Sequence, residues 1–104
     1  MVEATMKRAL EGIRVVDLTT IVMGPYATQI LGDFGADVIK VEAPPGGDPM
    51  RHAGPSHTKG MGPLFLQLNR NKRSILLDLK KPEGIEAMLR LCRKADVVAY
   101  NIRP

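Results

Sequence analysis

Leu31-Gly32-Asp33-Phe34-Gly35-Ala36-Asp37-Val38-Ile39-Lys40-Val41-Glu42 is the stretch whose reading decides the fold. It reads as the end of a helix, a glycine turn, a short apolar strand and a carboxylate where that strand stops. Gly35 supplies a helix stop that tolerates positive φ. Asp37 to Val41 is too short and too apolar for a surface element, as expected of a strand buried on both faces. In an open α/β sheet, ligands lie outside the carboxyl ends of the strands, so a small-molecule site is expected where this strand ends. A second copy of the same logic ends at Ala95-Asp96-Val97-Val98-Ala99-Tyr100-Asn101.

Upstream, Arg14 to Leu18 reads as a first strand, and Thr19 to Gly24 as a turn. Pro25 suits the first turn of the helix that follows, where its missing N–H costs nothing. Ala27, Ile30, Leu31 and Phe34 recur at i, i+3, i+4 and i+7, which predicts one apolar helix face against a sheet. Downstream, Glu42 to Gly62 is a long loop rich in proline and glycine that holds both His52 and His57. Loops of that length are uncommon unless functional or disordered. Pro63 to Asn69 carries a short apolar stretch with no readable periodicity, Asn69 to Arg73 a polar, basic turn, and Ser74 to Leu79 a third strand. Pro82 to Lys94 reads as a second helix, with Glu83 at its positive end and Arg90, Arg93 and Lys94 at its negative end. Ile85, Met88, Leu89 and Cys92 form its apolar face, and Asp96 to Asn101 a fourth strand.

The order β-α-β, long loop, β-α-β predicts right-handed crossovers and a Rossmann-like parallel α/β sheet. Two helices do not cover both faces of such a sheet, so something else is expected to cover the rest. At 104 residues with 44% apolar and 25% charged side chains, the composition is that of one globular domain. No apolar run approaches the roughly 20 residues that span a bilayer. The first residues lack the apolar core of a signal peptide, so a cytoplasmic location without membrane contact is expected. One cysteine, Cys92, excludes an internal disulfide and a multi-cysteine metal site. The net charge of +4 is compatible with an anionic ligand. Aromatic side chains at 4% are too few for a base-stacking platform, which argues against nucleic acid.

Several residues invite a chemical reading, each beside a plainer one. The turn Thr19-Thr20-Ile21-Val22-Met23-Gly24-Pro25 leads into a helix N-terminus, a natural anion site, or it is an ordinary βα turn. It is not G-x-G-x-x-G, so a nicotinamide or flavin fingerprint is absent, although Glu42 stands where dinucleotide enzymes keep a ribose-binding acid. Lys72 and Arg73 belong either to a solvated turn or to a phosphate contact. Lys80 and Lys81 fall just past the end of the third strand, and Asn101 closes the fourth, on the ligand side of the sheet. His52 and His57 have no supporting ligand cluster, so no metal is expected. No nucleophile stands with a base, and nothing pairs Asp17 or Asp33 for acid–base work. No catalytic residue is expected within the chain.

The motifs, taken together, resemble the start of the class III CoA-transferases, the CaiB/BaiF family. The resemblance rests on Leu10-Glu11-Gly12-Ile13-Arg14-Val15-Val16-Asp17-Leu18-Thr19, Met23-Gly24-Pro25 and Gly35-Ala36-Asp37-Val38-Ile39-Lys40-Val41-Glu42. It continues through Gly47-Asp48-Pro49-Met50-Arg51, Asn69-Arg70-Asn71-Lys72-Arg73-Ser74-Ile75, Leu77-Asp78-Leu79-Lys80, Pro82-Glu83-Gly84 and Ala95-Asp96-Val97. The family includes formyl-CoA and carnitine CoA-transferases and the related α-methylacyl-CoA racemases. Ala43 departs from members with an arginine there, and Tyr100-Asn101-Ile102-Arg103-Pro104 departs from the commoner Glu-Asn-Phe-Arg-Pro.

The resemblance implies that residues 1–104 are the N-terminal part of a large domain that binds coenzyme A. By position, Ile21, Val22 and Met23 would lie against CoA, and Leu77, Lys80, Asn101 and Ile102 near its nucleotide and pantetheine. Arg51, Lys72 and Arg73 are further candidates. It implies acyl-CoA and carboxylic acid as substrates, and a homodimer for the longer protein. The catalytic aspartate is expected beyond Pro104, which would leave this chain inactive by itself and prone to self-association. A racemase-like segment, a non-catalytic CoA- or nucleotide-binding module and a dinucleotide oxidoreductase fragment are the alternatives.

Overall fold

The computed structural model describes residues 7–103. The absence of a leader from the first residues is therefore an expectation outside the described part. The four expected strands are present: β1 (Arg14–Asp17), β2 (Asp37–Glu42), β3 (Lys72–Leu76) and β4 (Val97–Ala99). Both expected helices are present too, as α1 (Met23–Asp33) and α3 (Pro82–Arg93). The unassigned apolar stretch forms a short helix α2 (Pro63–Leu68), and a 3₁₀ turn over Pro49–His52 lies within the long loop.

All pairings are parallel and the strand order is β3-β2-β1-β4. Val15 stands in register with Val38 on one side and Val97 on the other, which puts β1 at the centre. The crossovers through α1 and α2 step in one direction across the sheet, and the crossover through α3 steps back past β1. With right-handed crossovers, α1 and α2 therefore share one face and α3 lies over the other. The direction reverses between β1 and β4, which makes the crevice at their carboxyl ends the topological switch point.

Strand alternation divides the side chains between those faces. Val15, Ala36 and Val38 form the buried cluster, with Leu10, Ile13 and Leu31 of α1 packed against it. Further along the same face stand Asp17, Lys40, Glu42 and Lys72, so only the amino-terminal half of the sheet is apolar under the helix.

This corrects the predicted contact face of α1 in part: of its four residues Leu31 packs against the core. The buried residues of the helix are Pro25, Thr28, Gln29 and Gly32, whereas Ala27, Ile30 and Phe34 are exposed. The helix meets a polar patch of the sheet, and Thr28 Oγ1 donates to Asp17 Oδ2 at 2.7 Å. Strand boundaries also move, and β3 stops at Leu76 rather than Leu79. Lys72 and Arg73 belong to β3 rather than to a turn, because both pair along β2, opposite Val38 and Ile39. β4 stops at Ala99, which leaves Tyr100 and Asn101 in the segment beyond it.

The other face is thinly covered. Ile85 and Leu89 of α3 are exposed, as are Val97 and Val98 of β4, and Gly84 is the one buried residue of that helix. Among the described residues no helix is long and apolar enough to cross a membrane.

Candidate functional site

A cavity of about 500 Å³ opens at the carboxyl ends of the strands. Leu18 and Thr20 after β1, Ala43 after β2, the segment Leu77–Lys80 after β3, and Ile102 after β4 form its walls. All four strands contribute, as expected for an open parallel sheet. Of the residues picked out from the sequence, Leu77, Lys80 and Ile102 line it directly.

Thr20 brings the turn after β1 to the rim as a lip, whereas Ile21, Val22 and Met23 do not line the cavity. Asn101 closes the switch-point crevice: its Nδ2 donates to the Thr20 carbonyl and its Oδ1 accepts from the Thr20 amide, both at 3.0 Å. Its side chain is therefore directed at Thr20 and does not line the cavity. Gly24 makes this approach feasible, since a Cβ there would fall 2.5 Å from Thr19 Cβ and 3.1 Å from Asn101 Nδ2. Ile21 has φ +77°, a left-handed conformation that is an outlier for a β-branched residue. Such a residue costs about 1–3 kcal/mol and persists only where its surroundings over-determine it. Ile21 and Met23 are both exposed, and Val22 precedes the first turn of α1.

Beneath the lip lies a buried polar network that sequence reasoning missed. Asp17 is fully buried and accepts from the Thr19 amide, the Thr19 hydroxyl, the Thr28 hydroxyl and the Lys72 ammonium. Lys72 Nζ lies 3.0 Å from Asp17 Oδ2, 3.0 Å from the Pro25 carbonyl and 2.8 Å from Asn69 Oδ1. Burial lowers the Lys72 pKa, and the charge of Asp17 opposes that shift. Lys40 and Asp48 form a second pair at 2.9 Å, both 1% exposed.

Glu42 is fully engaged. Arg51 grips it with two 2.7 Å hydrogen bonds, the Asp48 amide donates at 2.8 Å, and the Ser74 hydroxyl donates to the second oxygen. Arg51 also lies 4.0 Å from the centroid of the Phe65 ring, which ties α2 to the loop. Three carboxylates and three cations thus neutralise one another beneath the turn.

These contacts place the remaining candidates. Arg51 and Lys72 sit inside the network rather than on the cavity wall. Arg73 lies at the opposite edge, where it pairs with Asp37 at 2.8 Å. A second concavity of about 480 Å³ occurs there, with Arg14, Arg73, Arg90, Arg93 and Lys94 around Ile39 and Leu91. It adjoins the amino ends of the strands, away from the switch point. His52 Nε2 lies 2.9 Å from the Gly46 carbonyl. Among the described residues no group of three or more His, Cys, Asp or Glu is arranged around a metal position.

The Glu42 carboxylate has a measurable signature. Burial alone would raise its pKa, but the Arg51 hydrogen bonds, the Asp48 amide, the Ser74 hydroxyl and the Arg51 charge outweigh it and hold it at about 2. A depressed carboxylate contributes stability above its unfolded pKa of 4.5 and loses it as pH falls through its folded value. Acidification to around pH 3 should remove about 2 kcal/mol through this group alone. Urea midpoints of the wild type and Glu42→Gln, compared between neutral pH and pH 3, check this: the variant should start less stable and lose less. Equal slopes would show that Glu42 is not the titrating group.

The chain matches the family described as CoA-transferase family III over residues 10–104. It belongs to that family. It is 45% identical over 96 residues to the succinyl-CoA–L-malate CoA-transferase alpha subunit of Chloroflexus aurantiacus, an alignment covering 91% of this chain and 22% of that one. It is 44% identical over 97 residues to the mouse (Mus musculus) succinyl-CoA:glutarate CoA-transferase, covering 93% and 22% of the two chains. The crystal structure of a CaiB/BaiF family protein from Brucella suis superposes with a TM-score of 0.85 at 44% identity, over 92% of this chain and 26% of that one. The chain thus spans about a quarter of the length of its CoA-transferase relatives, and the α/β sheet is the N-terminal part of their larger fold.

Proposed function

We propose that this chain supplies one wall of the coenzyme A site of a family III CoA-transferase, which moves CoA from an acyl-CoA to a carboxylic acid. The observation that carries the reading is the cavity at the strand ends, where Leu77, Lys80 and Ile102 converge. Those are three of the positions that the family resemblance assigns to CoA. The lip Ile21–Met23 borders the same opening through Thr20. Glu42 argues against a nicotinamide cofactor, because both of its oxygens are already occupied and no acceptor remains for a ribose hydroxyl.

In the longer enzyme an aspartate outside this segment would attack the thioester carbonyl of the donor. That gives an acyl–aspartyl anhydride and releases the CoA thiolate, which then attacks the aspartyl carbonyl to form an enzyme thioester and free the first acid. The acceptor carboxylate attacks that thioester, and the returning thiolate completes the exchange. Splitting the transfer in this way replaces one difficult step with several easier ones. The residues described here bind and orient. The relatives' names make succinyl-CoA the donor to try first, with a C4 or C5 dicarboxylic acid as acceptor. A homodimer of the longer protein belongs to the same proposal.

Calorimetric titration with CoA, using a nicotinamide dinucleotide as control, tests the reading. Selective CoA binding is expected, weakened about tenfold by Lys80→Ala, as for loss of one partly solvated charge-assisted contact. The Lys80 contribution should shrink as salt rises. Binding of the dinucleotide with equal affinity, or no binding by a folded chain, would count against a preformed CoA wall. The chain alone should turn over no acyl-CoA.

A further inference from the structure

The lip of the cavity is held by side chains that do not line the cavity. Asp48, in the loop after β2, accepts from the Ile21 amide at 3.3 Å and from the Met50 amide at 3.0 Å through Oδ1. Its Oδ2 meets Lys40 Nζ as an ion pair. Lys40, on β2, donates in turn to the Thr19 carbonyl at 3.0 Å. From one buried ion pair, then, one partner reaches the peptide before Thr20 and the other the amide of Ile21. Ile21 is the residue at φ +77°.

We propose that Asp48 and Lys40 are the positioning residues of the turn Thr19–Met23, holding Ile21 left-handed and so shaping the edge against which CoA lies. The proposal rests on the CoA reading above.

Physical reasoning supports a role beyond stability. Two charges taken out of water recover little net free energy from each other, and well-packed apolar residues often serve the fold as well. What an apolar pair lacks is an acceptor for the Ile21 amide and a donor for the Thr19 carbonyl. An isoleucine without those anchors relaxes to negative φ, which swings the peptide planes on either side of it. Asp17 and Asn101 would still hold Thr19 and Thr20, so the loss should be local to Ile21.

The test pairs the apolar replacement Lys40→Met/Asp48→Leu with a backbone that needs no holding, Ile21→Gly. Glycine adopts positive φ at no steric cost. Two quantities are read for wild type, the Lys40→Met/Asp48→Leu variant, Ile21→Gly and the triple variant: amide hydrogen exchange at Ile21 relative to Val16 in the sheet, and the CoA dissociation constant by calorimetry. In the isoleucine background, loss of the pair should speed Ile21 exchange about tenfold with Val16 unchanged, and weaken CoA about tenfold. In the glycine background, the same loss should change CoA affinity by less than about twofold.

Equal loss in both backgrounds would reduce the pair to ordinary packing and overturn the proposal. An unprotected Ile21 amide in the wild type would do so as well. If the wild-type chain binds no CoA, the functional reading fails for this chain, and the exchange data still decide whether the pair holds the turn. If the apolar pair does not fold, Asp48→Asn gives the same comparison with a smaller expected change of about threefold in both readouts.

Discussion

Asp17→Ala should lower the stability of the chain by about 3–5 kcal/mol, the range seen when one partner of a buried ion pair is removed. Asp17 is fully buried and receives four donors, of which Lys72 cannot reach water in its place. The alanine leaves an ammonium buried against only the Pro25 carbonyl and Asn69. It also frees the Thr19 amide and hydroxyl, whereas the Thr28 hydroxyl keeps the Pro25 carbonyl at 3.2 Å. Against a total of about 5–15 kcal/mol for a domain, that is a large share. Urea unfolding followed by circular dichroism measures it, and Asp17→Ala/Lys72→Met should recover a substantial part. A loss below about 1 kcal/mol for the single change would mean that water or a rearranged Lys72 satisfies the site.

Gly84→Val should be nearly as damaging, and for a different reason. Glycine inside a helix normally costs about 1 kcal/mol relative to alanine, so a larger residue on α3 would ordinarily help. Here any Cβ at position 84 would collide with the backbone of Asp78. Two main chains are in contact, and neither can yield as the tip of a side chain would. Overpacking costs about 1–3 kcal/mol, and a β-branched residue against backbone belongs at the upper end. Asp78 lies in the cavity wall beside Leu77 and Lys80, so the variant should also weaken CoA more than Lys80→Ala does. A thermal midpoint raised by Gly84→Ala would show that α3 shifts freely, and would remove the basis for both effects.

The sequence made the frame readable and left the site's support hidden, for a physical reason. Helix and strand periods record which neighbours are close along the chain, and α1, α3 and all four strands announce themselves that way. The network under the turn joins Asp17 to Lys72 and Lys40 to Asp48, pairs that meet only when the sheet has assembled. One local signal was available. In Val38-Ile39-Lys40-Val41-Glu42, charges at alternate positions stand in a strand otherwise apolar on both faces, and a charge on a doubly covered face must find a partner. The same neglect explains the misplaced face of α1, where an apolar stripe was matched to a sheet that is polar at that point. Lys80 was legible because strand ends can be counted from the pattern, whereas Leu77 and Ile102 were picked out only by the family resemblance. Arg73 was not separated from Lys72 because both were read as a turn, where the alternation that sends adjacent strand residues to opposite faces does not apply.

The central position of β1 bears on how such a chain comes into being. Its neighbour on one side arrives within about 20 residues of it, but its other neighbour, β4, lies more than 80 residues later, where Asp96 takes up both Arg14 backbone groups. Emerging at about 5–20 residues per second, the nascent polypeptide exposes one flank of β1 for several seconds after β2 can dock. Among the described residues, the clasp between Asn101 and Thr20 is one of the last contacts to become possible. The ligand cleft is thus the final part of this unit to mature. A chaperone would meet the segment with its scaffold built and its cleft still open.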